Sequence, residues 1–242
     1  MKTVAVAIVC KTPVPGQSKT RLSPPLRLAE CAEISACFIQ DLACTIADLA
    51  GDGDVTGYAL YTPLGSESEL QRLLPDGFAI MPQCQGEFGA RLLQGAVDLL
   101  EAGHRGAILV NSDSPTLPRA ILRRAVDATL PDDCVVLGPA FDGGYTLIGL
   151  SRPHARLFQD IPWSTSAVYE LTVQRAREIG LPVVNVPGWY DVDDEASLRI
   201  LEDELDGRPP DFAAMPGAQA AMTRGFLERC NVSRVERAAM TI

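Results

Sequence analysis

Apolar residues along this chain fall into two spacings. Short unbroken runs, beginning with Val4-Ala5-Val6-Ala7-Ile8-Val9, alternate with longer stretches whose apolar positions recur every three or four residues. An unbroken run of strand length suits a parallel strand buried on both faces, whereas the wider spacing suits a helix with one inward stripe. Leu28, Ala32, Phe38, Leu42, Ile46 and Leu49 predict a helix over 26–50, followed by a strand over 55–61. Ser66-Glu67-Ser68-Glu69 reads as a capping box opening a short helix to Leu74, and 78–81 as a third strand. A helix over 88–102, with Leu92, Ala96, Leu99 and Leu100 inward, leads to a buried strand over 107–110; Pro118 then starts another helix.

Strands over 134–137 and 145–150 are joined by a link too short for a right-handed helical crossover, so the sheet is expected to be mixed. Ser164 or Thr165 is expected to cap a helix to about Gly180. A last strand over 183–186 and a helix to Leu205 follow. The pattern predicts an α/β fold with a mixed, mostly parallel sheet flanked by helices. One domain spans 1–206, and 207–242 is an extension, partly helical over 218–230.

The 242 residues suffice for one large core, and a formal net charge of −10 argues against nucleic-acid binding. Seven cysteines with no C-x-x-C pair argue against a disulfide framework or structural zinc; Cys31, Cys37 and Cys44 read as small buried residues of the first helix. The first apolar run is too short to span a membrane and lacks a small-residue cleavage site, so a cytoplasmic protein is expected. A homo-oligomer is left open. His104 and His154 read as incidental.

The first strand ends in Lys11-Thr12-Pro13-Val14-Pro15-Gly16-Gln17-Ser18-Lys19-Thr20-Arg21. Loops at the carboxyl ends of strands are where open α/β sheets bind ligands. This one is stiffened by prolines, hinged at Gly16 and carries three cations, a combination that suits phosphate. Gly86-Glu87-Phe88-Gly89-Ala90-Arg91 is a weaker candidate for anion contact at a helix start. Asp113, in Ser112-Asp113-Ser114-Pro115, and Asp191 with Asp193 also follow strands. Such hard oxygen ligands suit Mg2+ or Mn2+ shared with substrate phosphates. Taken singly, Asp113 also suits a turn before Pro115, and Asp193 a helix N-cap. Asp142-Gly143-Gly144-Tyr145 places adjacent glycines at a strand start, the mark of close backbone approach or an unusual dihedral.

Together, the Lys11–Gly16 and Lys19–Leu22 stretches, Ser112-Asp113-Ser114-Pro115, the run from Gly138 to Tyr145, Trp163-Ser164-Thr165 and Asp191-Val192-Asp193 resemble the radical-SAM/selenodomain-associated transferase 1 family. The resemblance covers about residues 3–205. That family is similar to the nucleotide-diphospho-sugar transferase superfamily, with its GT-A fold, and to guanylyltransferases that activate phospholactate or molybdopterin. Ser112-Asp113-Ser114 stands where GT-A enzymes carry two aspartates flanking one residue, and prolines replace the Gly-rich loop of sugar nucleotidyltransferases.

The resemblance implies a metal-dependent glycosyltransferase using a nucleotide-diphospho-sugar donor and a small-molecule acceptor. The alternatives are a nucleotidyltransferase joining a nucleoside triphosphate to a phosphorylated acceptor, or a non-catalytic nucleotide-binding partner protein. Expected nucleotide contacts are Lys11, Gly16, Lys19, Arg21, Arg91 and Ser112. Asp142, Gly143, Gly144, Tyr145, Trp163 and Ser164 are expected on the acceptor or sugar side. Asp113, with Asp191 or Asp193, is expected to hold Mg2+ or Mn2+. Asp113, Lys19 and Asp142 are the candidates for catalysis.

Overall fold

A computed structural model describes residues 3–239. Strand β1 (Val4–Lys11) pairs in parallel with β2 (Val55–Thr62) on one side and β4 (Gly106–Asn111) on the other. The remaining strands are β3 (Ala79–Pro82), β5 (Val135–Pro139), β6 (Tyr145–Leu150) and β7 (Val183–Asn185). The seven-stranded order is β3-β2-β1-β4-β6-β5-β7. Only β6 runs antiparallel to its neighbours, because the 140–144 connection turns the chain straight back. The sheet is therefore mixed and mostly parallel, as expected.

Helices α1 (Leu28–Ala50), α2 (Glu67–Gln71), α3 (Phe88–Glu101), α4 (Arg119–Thr129), α5 (Val168–Glu178), α6 (Glu195–Leu205) and α7 (Ala221–Ala239) flank it. Alternate residues of β1 feed two cores, one on each face. Val4, Val6, Ile8 and Cys10 pack with Phe38, Leu42 and Ile46 of α1, with α4 and α6, and with Phe226 of α7. Ala5 and Ala7 pack with Leu92, Ala96 and Leu99 of α3 and Ala176 of α5. Two-sided burial explains the unbroken apolar run, since a one-sided strand alternates. It also sets the carboxyl ends of β1 and β4 side by side at the sheet's centre, with Val9 opposite Asn111.

Local departures have local causes. The Ser66 hydroxyl is engaged by Pro63 O and Thr12 Oγ1, both at 2.7 Å, so no capping box forms; α2 itself is shorter than expected and ends at Gln71. Thr165 Oγ1 donates to Pro162 O at 2.7 Å and Ser164 is left-handed (φ 65°), so neither caps α5, which begins at Val168. Asp194, not Asp193, is the N-cap of α6; its carboxylate accepts from Ser197 N at 2.9 Å. Leu28 and Cys44 lie on the solvent side of α1, while Cys31 and Cys37 are buried as expected.

The extension past Leu205 packs on the same core. The buried Asp41 carboxylate of α1 accepts from Met222 N (2.9 Å), Thr223 N (2.8 Å) and Thr223 Oγ1 (2.6 Å), so it caps α7 from a different helix. Phe212 stacks on Phe141 with ring centroids 4.1 Å apart. No described helix is long and apolar enough to cross a membrane.

Candidate active site

At the carboxyl ends of the central strands, two cavities of about 290 and 300 Å³ adjoin. The smaller lies over the first loop and is lined by Lys11, Gln17, Lys19 and Arg21; the larger lies between β4, β6 and the 163–168 segment. Ser112 and Asp113 line both, so the cavities meet at the end of β4.

The first loop is held by its own turns. Gln17 N and Ser18 N donate to Val14 O, Ser18 Oγ accepts from Val14 N at 3.0 Å, and Gly16 takes φ 75°. A Cβ at Gly16 would meet nothing, so this glycine serves the turn's dihedral and not a close approach. Lys19 is also left-handed (φ 48°), which turns its side chain inward until only 8% of it is exposed. Its ammonium donates to Val192 O (2.7 Å) and Asp193 Oδ1 (2.7 Å) and pairs with Asp113 Oδ1 at 2.8 Å. An ammonium has three donors, and all three are engaged. Burial pulls the Lys19 pKa down, but the charges and hydrogen bonds of Asp113 and Asp193 outweigh it, and the group stays above the ordinary lysine range.

Lys19 is therefore a brace between loops, with no donor left for phosphate. The exposed cations of this cavity are Lys11, which donates to Gln17 Oε1 at 3.2 Å, and Arg21.

Asp113 is fixed from several sides. Its backbone N donates to Asn111 Oδ1, its carboxylate accepts from Ser112 Oγ, and its backbone O accepts from Val192 N at 2.9 Å. That last bond ties the 188–193 segment to β4. The same segment is fastened to β5 by Trp189 N donating to Pro139 O at 3.1 Å. Asp191 and Asp193 therefore diverge in role, although two residues apart: Asp193 goes to Lys19 and the basic cavity, Asp191 to the larger one. Asp191 is pushed up to about 6 by burial first, then by the charges of Asp142, Asp193 and Asp113.

Asp142, Gly144, Tyr145, Trp163 and Ser164 line the larger cavity, where the sequence expectation put the acceptor side. Gly143 does not. Its φ is 92° and a Cβ there would lie 2.1 Å from Ser166 O, so the glycine answers to a backbone neighbour and not to a ligand. Arg91 does not reach the basic cavity; it donates to Gln83 Oε1 at 2.8 Å and stacks over Phe88, propping a wall. Phe88 and Thr146 were not expected to line the larger cavity, nor Gln17 the smaller; Gln17, inside the loop motif, and Phe88, inside the Gly86–Arg91 stretch, had a sequence signal, and Thr146 had none.

Among the described residues, no three metal-ligating side chains converge on one point. Asp113 and Asp191 nevertheless line one cavity, and hard carboxylate oxygens without a cysteine or histidine suit Mg2+ or Mn2+. Magnesium commonly takes one or two carboxylates and completes its shell from water and phosphate, so this donor set fits an ion shared with a nucleotide. Asp193 lines only the basic cavity and does not share a cavity with Asp191, so it fits such an ion less well.

Comparison with known proteins places this geometry in a setting. A provisionally named nucleotide-diphospho-sugar transferase from Desulfovibrio desulfuricans G20 superposes with a TM-score of 0.77 at 27% identity, covering 93% of this chain and 95% of its own. The CTP complex of CMP:2-keto-3-deoxy-manno-octonic acid synthetase matches with a TM-score of 0.55 at 11% identity, over 85% of this chain and 99% of that one. Glucosyl-3-phosphoglycerate synthase from Mycobacterium tuberculosis, solved with Mn2+, UDP and glucosyl-3-phosphoglycerate, gives 0.50 at 13% identity, over 87% and 81%. No protein of curated function matches the sequence. The fold is that of the nucleotide-diphospho-sugar transferases, and the named relatives are transferases or synthetases. The family model of uncharacterised proteins conserved in bacteria, DUF2064, matches residues 45–165, half of the chain and the part that carries both Asp113 and Asp142, and to that family the protein belongs.

Proposed function

We propose that this protein is a metal-assisted transferase that moves a sugar from a nucleoside diphosphate sugar to a small acceptor. The observation that carries this reading is the pair of cavities meeting at Ser112 and Asp113, one with free cations and one without. A diphosphate in the basic cavity and a transferred group in the other would meet beside Asp113. Kinship of fold with sugar and nucleotidyl transferases supports the reading, and the motif set supports placement with the radical-SAM/selenodomain-associated transferase 1 group.

In this reading Lys11 and Arg21 neutralise the diphosphate, while Lys19 keeps Asp113 and the 192–193 segment in register. Asp113 and Asp191 would hold Mg2+ or Mn2+ together with phosphate oxygens. The ion, when bound, stabilises charge developing on the leaving diphosphate. Asp142, which accepts from Gly144 N at 2.8 Å, is the carboxylate placed to take a proton from an acceptor hydroxyl. Nucleotidyl transfer from a nucleoside triphosphate is the second reading, favoured by the likeness to a CTP-bound synthetase. It releases pyrophosphate, whereas sugar transfer releases a nucleoside diphosphate, so product analysis separates them.

Calorimetry of nucleoside diphosphates and triphosphates with manganese tests the binding half. Arg21→Ala should lose roughly 1.5–3 kcal/mol of nucleotide affinity, the value of a hydrogen bond to a charged group, at an unchanged melting temperature. Asp113→Asn should lose the dependence on manganese. Parent-like affinity in both variants would remove the proposed site.

A further inference from the structure

The larger cavity has a character that its basic neighbour lacks. Its walls are mostly apolar, including Leu92, Leu109, Ile148 and the Trp163 ring, which is braced edge-on by Phe88 at 5.1 Å. Among the described residues, the charged side chains that line it are Asp113, Asp142 and Asp191, and no lysine, arginine or histidine does so. Lys19 pairs with Asp113 from the basic side, and Arg91 is turned to Gln83 behind Phe88. Asp142 and Asp191 have no ion pair among the described residues. We infer that the acceptor bound in this cavity has an apolar body and a neutral or cationic head, and is neither a phosphate ester nor a carboxylate.

The inference rests on the two-cavity reading above and narrows its acceptor. An anion entering the cavity would desolvate against carboxylates with no protein donor of positive charge to receive it, a cost that specificity commonly exploits. An amine gains Asp142, the carboxylate that neither Lys19 nor the ion takes, as a partner and can also lie over the Trp163 face. An alcohol gains a hydrogen-bond acceptor at Asp142 without a charge penalty. The division of labour is consistent across the site: the cavity with Lys11 and Arg21 takes the anionic half of the donor, and the other takes what is not anionic.

Three probes differing only in the head group test this: 2-phenylethanol, 2-phenylethylamine and 2-phenylethyl phosphate. Binding is read by the fluorescence of Trp163, with Trp163→Phe as the control for signal from Trp189, and is measured with and without manganese. The alcohol and the amine should each bind at least about tenfold more tightly than the phosphate ester under both conditions. Asp142→Asn, at an exposed position, should shrink the amine-over-phosphate preference several-fold under both conditions, and adding Asp191→Asn should shrink it further in the absence of manganese. Equal or tighter binding of the phosphate ester, a preference unmoved by Asp142→Asn, or binding of none of the three would overturn the inference. Nucleotide titration of the same samples keeps the two readings apart. Arg21-dependent nucleotide binding alongside a failed probe series removes only the acceptor class, whereas absent nucleotide binding removes the proposed function whatever the probes show.

Discussion

Lys19 and Asp191 show how one pair of neighbouring loops divides charge. Lys19 holds two carboxylates and a carbonyl from inside the protein, and its removal strands Asp113 and Asp193 next to each other. Losing one partner of a buried pair costs about 3–5 kcal/mol. Because both aspartates keep some exposure (32% and 45%), the expected cost of Lys19→Met is nearer roughly 2–3 kcal/mol by denaturant unfolding, with part recovered in the Lys19→Met/Asp113→Asn double variant. A parent-like midpoint for the single variant would show that the brace carries no stability.

Asp191 behaves in the opposite sense. Its carboxyl titrates near 6 in the folded chain against 3.8 ordinarily, so between those values the folded state holds a proton that the unfolded chain has released. Stability therefore falls as pH rises through that window, and the cost is fully present above about 6. Asp191→Asn should melt several degrees higher than the parent at pH 7.5, at roughly 2–4 °C per kcal/mol for a chain of this size, and should lose that advantage by pH 4. Thermal melts at the two pH values decide it.

At the scale of elements, the strands and the reversal of β6 were legible because they depend on local apolar runs and on the length of one link. Helix starts were less so. Ser66, Thr165 and Asp193 each have the chemistry of a cap, but Ser66 and Asp193 are taken by partners distant in sequence, Thr12 and Lys19, and Thr165 turns back to Pro162 O. The glycine pair before β6 divides: Gly143 answers a backbone demand, while Gly144 lines the larger cavity. Gly143 faces Ser166, a residue of the 163–168 segment that also carries Ser164 into the larger cavity. Gly143→Ala should therefore lower the melting temperature and the turnover together. Its strain has two sources, a positive φ and a backbone oxygen at 2.1 Å, and neither is relieved by ligand. Loss of turnover at an unchanged melting temperature would return the glycine to the ligand.

For the molecule as a whole, the residues gathered at the site were legible as types but not as partners. A basic loop and carboxylates after strands could be read as phosphate and metal chemistry; that the most buried lysine would be consumed by those carboxylates could not, since Lys19 and Asp193 are 174 positions apart. The same holds for the extension, whose helix is fixed to α1 by Asp41. Asp41→Ala removes the acceptor for two backbone donors and a hydroxyl and should cost roughly 1–3 kcal/mol, with hydrogen exchange rising first in the opening turn of α7. Protection in that turn equal to the parent's would mean that packing of Phe226 and Leu227 alone holds the helix.

The bond from Lys19 to Asp193 has a further consequence, for the order in which the protein becomes competent. Asp193 follows Lys19 by 174 positions, so the clamp over the site forms only once the first loop, the end of β4 and the 188–193 segment have come together. A chain ordered only from β1 through β6 already carries the cationic loop, Asp113 and Asp142, and in it Asp113 alone can hold the Lys19 ammonium, one partner where the whole structure gives three. Docking of the 188–193 segment supplies the other two partners, so the charge arrangement of the site is set by the assembly of the sheet and not by the first loop alone.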